Sequence, residues 1–139
     1  MNFGILSTKE NPLLPTYLEH IIGKGVTNII LLLDSKEFGE RDKSIWRERT
    51  GGYFERKNLS LSDFSSRIVK EYNINHNTDE IIGLCNDRNL RCLLNAGTPH
   101  KLKIKLLHAT SLGVINIHPG ILPRYRGCSA VEWAIYNND

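Results

Sequence analysis

Phe3-Gly4-Ile5-Leu6-Ser7, Asn11-Pro12-Leu13-Leu14 and Asn28-Ile29-Ile30-Leu31-Leu32-Leu33 are the stretches on which the fold turns. The first is a short apolar run at the extreme N-terminus, as expected of a buried strand. Asn11-Pro12 reads as a helix N-cap followed by proline at the first helical position. Leu13, Leu14, Tyr17, Leu18, Ile21 and Ile22 then recur at a spacing that puts them on one helix face, and Gly23 and Gly25 end it. The Asn28–Leu33 run is continuous rather than alternating, the pattern of a strand covered on both faces. Strand, helix and strand within about 30 residues make a βαβ unit, which requires parallel pairing and a right-handed crossover.

Working outward, Ser62-Asp63 is expected to cap a second helix carrying Phe64, Ile68, Val69 and Tyr72. Asn73 to Asn77 reads as a short strand or turn. Thr78-Asp79-Glu80 opens a third helix with Ile81, Ile82 and Cys85 inward. Leu90 to Ala96 is a further buried strand, broken by Gly97-Thr98-Pro99. A fourth helix with Leu102, Leu106 and Leu107 on one face precedes the strand-like Gly113-Val114-Ile115-Asn116-Ile117, and a final helix spans Ser129 to Tyr136. This alternation predicts an α/β fold with a doubly wound, mostly parallel sheet, with residues 1–139 as a single domain. The stretch from Asp34 to Lys57 breaks the pattern. Its mixed charge, with Trp46, Gly51-Gly52, Tyr53 and Phe54, reads either as a solvated surface excursion or as a lid or acceptor-binding segment.

Composition narrows the function classes. Apolar residues at 40% and charged residues at 24% of 139 are ordinary for a globular chain, which excludes a disordered tail or a disulfide-stapled mini-protein. Eighteen Lys+Arg against fifteen Asp+Glu give +3, too small a surplus to argue for a nucleic-acid partner. No run approaches the length of a membrane span, and the N-terminus lacks the pattern of a signal peptide. A cytoplasmic location is the expectation. Cys85, Cys92 and Cys128 form no CxxC pair and have no histidine at zinc-like spacing, so they read as reduced thiols and no metal is expected. Of the three, only Cys128 has neighbours that would suit catalysis.

Chemistry in an open parallel sheet gathers beyond the carboxyl ends of its strands. Three such ends stand out: Ser7-Thr8-Lys9-Glu10-Asn11, Asn95-Ala96-Gly97-Thr98-Pro99-His100 and Asn116-Ile117-His118-Pro119-Gly120. Asn116 and His118, two apart on an extended segment, are expected to face the same side. An amide can hold a developing oxyanion and an imidazole can shuttle a proton near neutral pH, which together suit acyl transfer. His20, His76 and His108 read as surface or helix-face residues without special roles.

The run Asn116-Ile-His118-Pro119-Gly120-Ile121-Leu122-Pro123-Arg124-Tyr125-Arg126-Gly127 resembles the signature of folate-dependent formyltransferases, N-x-H-x-S-L-L-P-x-x-R/K-G. The resemblance implies a Rossmann-like domain that transfers a formyl group from 10-formyltetrahydrofolate to a primary amine. It gives Asn116 the formyl oxygen to hydrogen-bond and His118 the charge and proton of the tetrahedral intermediate. Gly97, Thr98, Pro99, His100, Lys101 and Leu102 occupy the place of the folate-binding loop, and Pro119, Arg126 and Gly127 lie where the acceptor approaches. Gly120 departs from the usual serine, and His100-Lys101 is polar where that loop tends to be apolar. The family's third catalytic residue, an aspartate, lies further along than Asp139. The sequence is therefore expected to be an N-terminal part of such an enzyme or a truncated gene product, inactive alone.

Purine-pathway members carry a Gly/Ser-rich phosphate loop after the first strand, unlike Ser7-Thr8-Lys9-Glu10-Asn11-Pro12. Methionyl-tRNA formyltransferases typically bring an RNA-binding C-terminal domain and a more basic surface. The preferred acceptor is thus the amine of a nucleotide-linked amino sugar, with Trp46 to Phe54 a candidate for contacting it. The alternatives are methionyl-tRNA, glycinamide ribonucleotide, hydrolysis of formyltetrahydrofolate, and a non-catalytic module that binds folate or a partner.

Overall fold

The computed structural model describes residues 2–36, 39–53, 60–127 and 129–139. Strands β1 (Asn2–Thr8), β2 (Ile29–Asp34), β3 (Ile68–Asn73), β4 (Leu90–Asn95) and β5 (Val114–Asn116) form one sheet in the order β3-β2-β1-β4-β5. All four pairings are parallel, with Ile5 opposite Leu31 and Leu94 opposite Ile115. The chain winds outward from β1 to β3, then crosses to β4 and β5. This is the doubly wound α/β, Rossmann-like architecture that the βαβ reading requires.

The continuous apolar runs are explained by cover on both faces. Ile5, Ile29, Leu31, Leu33 and Leu94 pack with Leu14 and Leu18 of helix α1 (Leu14–Gly23). Leu6, Ile30, Leu32 and Leu93 point the other way. They pack with Ile81 and Cys85 of α3 (Asp79–Asp87) and Leu106 of α4 (Ile104–Leu107). Adjacent residues thus serve opposite cores. Each fully buried Leu or Ile adds roughly 1.5–3 kcal/mol of favourable transfer energy. Gly4 makes room within this packing, because a Cβ there would lie 2.5 Å from Leu93 Cδ2.

Several local expectations are corrected. The helix expected from Ser62 to Tyr72 is a single 3-10 turn, Leu61–Phe64, followed by β3. Ser60, not Ser62, caps the turn, with its backbone N–H donating to Asp63. Ile68 and Tyr72 satisfy a helical spacing, yet β-branched and aromatic residues also suit a strand, and pairing with β2 decides for the sheet. The side chain of Val69 lies outside the described residues. α1 begins later than expected, with Leu13 as its N-cap and Pro15 in its first turn. Asn11 still accepts the Leu13 N–H at 2.9 Å, as a capping side chain does. The expected fourth helix is the single turn α4. Leu102 lies before it, part-buried, and Leu107 is exposed.

The stretch expected to be an irregular excursion contains helix α2 (Glu40–Thr50). Lys43 bridges to Glu10 at 3.0 Å, and Arg49 reaches Glu132 at 3.0 Å on α5 (Ala130–Tyr136). Phe54, part of the proposed acceptor segment, lies outside the described residues, as does Cys128. Cys85 and Cys92 are free and buried; burial pushes the Cys85 thiol up to about 11, so it stays protonated and inert at neutral pH. Among the described residues no helix is long and apolar enough to cross a membrane.

Candidate active site

The chain reverses its winding between β1 and β4, so their carboxyl ends flank the crevice where ligands of such sheets bind. Here the bottom of that crevice is filled by Asn11. Its amide nitrogen donates to Ser7 Oγ at 3.0 Å and to the Ala96 carbonyl, and Ser7 Oγ also donates to that carbonyl at 2.9 Å. Gly97 sits against it at φ +93°, and a Cβ there would meet Asn11 Nδ2 at 2.5 Å. Glycine is required twice over, for its backbone angle and for space. Thr8, 1% exposed, ends β1 with a hydroxyl that has no hydrogen-bond partner among the described residues.

On the far side of β4, register pairs Asn95 with Asn116. Asn95 Oδ1 accepts the backbone N–H groups of Gly97 (3.3 Å) and Thr98 (3.0 Å). Its amide nitrogen is therefore turned outward and donates to Asn116 Oδ1 at 2.7 Å. Because an amide has one oxygen and one NH₂, the Asn116 oxygen is taken and its NH₂ is left as the group that can donate to a ligand. This is the orientation that an oxyanion needs. Asn95 also joins Asn116 to the Gly97 loop. Sequence reading passed over it, since nothing in its local pattern separates it from a turn asparagine.

His118, part-buried just past β5, directs Nε2 at the Tyr125 carbonyl. A carbonyl only accepts, so Nε2 carries the proton and Nδ1 of the neutral ring is the basic nitrogen. The turn that supplies Tyr125 is tightly packed. A Cβ at Gly120 would lie 2.5 Å from the Tyr125 oxygen and 2.8 Å from the Ala130 Cβ, so the serine of the related signature does not fit this turn without displacing it. Tyr125 hydroxyl bonds Asp139, and Arg124 pairs with Asp139 at 2.9 Å, tying the turn to the end of α5. Pro119, Arg126 and Gly127, the expected acceptor residues, are exposed on this turn.

The loop after β4 rests on a buried polar cluster. His76, expected at the surface, is 0% exposed. It follows β3 rather than standing on a helix, and its ring turns in under the loop to bond the Leu32 carbonyl (2.7 Å) and Thr98 Oγ1 (2.6 Å). Burial pulls its pKa down, so the ring is neutral near pH 7. Asp34, 4% exposed at the end of β2, accepts the backbone N–H of Lys36 (2.9 Å) and of His76 (3.0 Å). Burial would raise its carboxyl; those two N–H groups and the neighbouring imidazoles outweigh it and hold the pKa low. His100 Nε2 lies 3.2 Å from Asp34 Oδ2, without the alignment of a hydrogen bond. His100 thus leans on Asp34 within the loop. His20 and His108 are exposed, as expected. Lys101 is exposed, Pro99 is part-buried, and Leu102 packs against the α3 side of the core.

The structure therefore connects Asn116 to Gly97 and Thr98 through Asn95, and connects Thr98 and His100 to His76 and Asp34. It does not link His118 to that network; His118 is held by its own turn. No group of three or more metal-ligating side chains that could hold a metal ion occurs among the described residues.

Comparison with known proteins agrees with this architecture. Residues 23–139 match the formyl transferase family, "Formyl transferase". A methionyl-tRNA formyltransferase of Limosilactobacillus fermentum is 29% identical over 116 residues, covering 78% of this chain and 35% of that protein. One from Halothermothrix orenii is 38% identical over 73 residues, covering 52% and 22%. This chain thus spans about a third or less of the curated relatives it matches. Among solved structures, glycinamide ribonucleotide transformylase 1 of Symbiobacterium toebii superposes with a TM-score of 0.58 at 14% identity, covering 100% of this chain and 61% of that one. Phosphoribosylglycinamide formyltransferase of Bacillus halodurans gives 0.58 at 15%, covering 99% and 66%. At such identities these two speak to the fold alone. The family match over most of the chain, on a sheet wound in this order, establishes that the chain belongs to the folate-dependent formyl transferase family.

Proposed function

We propose that this chain forms the formyl-transfer site of an enzyme that moves the formyl group of 10-formyltetrahydrofolate to a primary amine. The observation that carries the reading is the Asn95 clamp, which leaves the Asn116 NH₂ free to donate to the formyl oxygen. The amine nitrogen attacks the formyl carbon, and the carbonyl pair moves onto oxygen, where Asn116 stabilises it. His118 takes the amine proton at Nδ1 and returns one to the departing folate nitrogen as the carbon–nitrogen bond breaks. Gly97, Thr98, Pro99, His100, Lys101 and Leu102 hold the folate; Pro119, Arg126 and Gly127 face the acceptor. Residues 1–139 make up one domain of the enzyme, which works in the cytoplasm, and turnover needs a further carboxylate besides Asn116 and His118.

For the acceptor we favour a nucleotide-linked amino sugar. Asn11 fills the end of β1 where a backbone nest for a ribonucleotide phosphate would have to form, which argues against glycinamide ribonucleotide. Trp46, part-buried on α2, is the side chain of the Trp46–Phe54 segment that we assign to the sugar or base. A second reading, methionyl-tRNA, is favoured by the names of the sequence relatives above.

The test is loss of 10-formyltetrahydrofolate by the full-length enzyme with each acceptor in turn: a nucleotide-linked amino sugar, methionyl-tRNA, glycinamide ribonucleotide and water. Rapid loss with the amino sugar alone supports the favoured reading. Loss with methionyl-tRNA alone replaces it, and loss that needs no amine overturns transfer in favour of hydrolysis.

A further inference from the structure

The turn between β3 and α3 grips the loop after β4 at three points. Neutral His76 has one hydrogen, and the Leu32 carbonyl requires it on Nε2. Nδ1 is then an acceptor, so the Thr98 hydroxyl donates to it at 2.6 Å. The next residue, Asn77, donates to the Lys101 carbonyl at 3.1 Å and accepts the Lys103 N–H at 2.9 Å. Asp34 fixes the turn itself by accepting the His76 N–H, and it draws in His100 from the loop at 3.2 Å. A buried carboxylate and imidazole are costly to keep, and apolar residues of the same size would pack as well or better. What this cluster does, and an apolar one would not, is hold the backbone of residues 97–103 in one conformation.

We propose that Asp34, His76 and Asn77 are positioning residues for the formyl donor: they preorganise the Gly97–Leu102 loop so that its backbone groups meet the folate without first having to be ordered. This rests on the reading of that loop as the donor site. Preorganisation acts on affinity by removing the ordering cost from the binding step. It leaves the acceptor side, on the Pro119–Gly127 turn, untouched.

The test uses the full-length enzyme and 5-formyltetrahydrofolate, a stable isomer of the donor, titrated by fluorescence. His76→Gln keeps a donor near the Leu32 carbonyl and loses the Thr98 bond; Asn77→Ala removes the two outer bonds at a part-buried position where folding is not at risk. The folate Kd is expected to rise about ten-fold in the first and about three-fold in the second, the size of an ordering cost returned to binding. The KM for the acceptor stays unchanged in both. A purely structural role would lower the melting temperature and leave the Kd of the folded protein alone. The proposal is overturned if folded variants bind folate within two-fold of the parent; should His76→Gln fail to fold, Asn77→Ala decides. A parent chain that binds no folate overturns the donor-site reading and this proposal together, whereas normal binding in the variants overturns the proposal alone.

Discussion

Asn95 commits its carbonyl oxygen to two backbone N–H groups, and that determines what Asn116 can offer a substrate. Asn95→Asp would present a second acceptor to Asn116, whose amide would turn so that its NH₂ donates inward and its oxygen, which can only accept, faces the ligand. Turnover is expected to fall about 100-fold, the usual effect of losing one oxyanion donor. Folate affinity, measured in parallel, should change little. Asp34 and His76 give a second expectation at this scale. Both have pKa values held below their ordinary values of 3.8 and 6.5, so the unfolded chain takes up protons before the folded one as pH falls. Their contribution is complete above about pH 6.5 and is lost on acidification, first through His76 and then, below about pH 4, through Asp34. Thermal melts across pH 4–8 should show stability falling below pH 6.5, and His76→Gln should flatten that upper step.

At the scale of elements, Asn11 and Gly97 form a coupled pair where β1 and β4 end. Gly97→Ala adds a Cβ at a positive φ and drives it into Asn11, and should destabilise by about 1–3 kcal/mol. Asn11→Ala strips the Leu13 N–H and the Ala96 carbonyl of a partner, at a cost of about 1–3 kcal/mol. The double variant should lose less than the sum, because removing Asn11 relieves the clash; denaturant melts of all three measure the coupling. The two-sided strands were legible in the sequence because Ile29 to Leu33 has no polar break, and α1 and α3 because their apolar residues keep a helical period. β3 was not, since Ile68 and Tyr72 fit either period and only pairing with β2 separates the two. α2 was hidden for another reason: its charges leave no apolar stripe, and it is tied down by Lys43–Glu10 and Arg49–Glu132 rather than by a core face.

Across the whole molecule, legibility of the site followed the same division. Asn116 and His118 announced themselves because their spacing is local, within one short run. Asn95, Asp34 and His76 acquire meaning only when β2, β3, β4 and β5 are laid side by side, and a lone histidine in His76-Asn77 carries no sign that it will be buried. The last part of the chain also exposes Ile115, Ile117, Ile121, Leu122, Trp133, Ile135 and Tyr136. Residues 1–139 are therefore expected to self-associate, with a sedimentation coefficient that rises with concentration. The central claim concerns the carboxyl end of β5. The measurement that tests it most directly is amine-dependent loss of 10-formyltetrahydrofolate by the full-length enzyme, its Asn116→Ala variant and its His118→Ala variant, with folate binding measured beside it. The account predicts transfer by the parent and a loss of about 100-fold or more in each variant, with folate still bound. Variants that transfer formyl groups at the parental rate would contradict it.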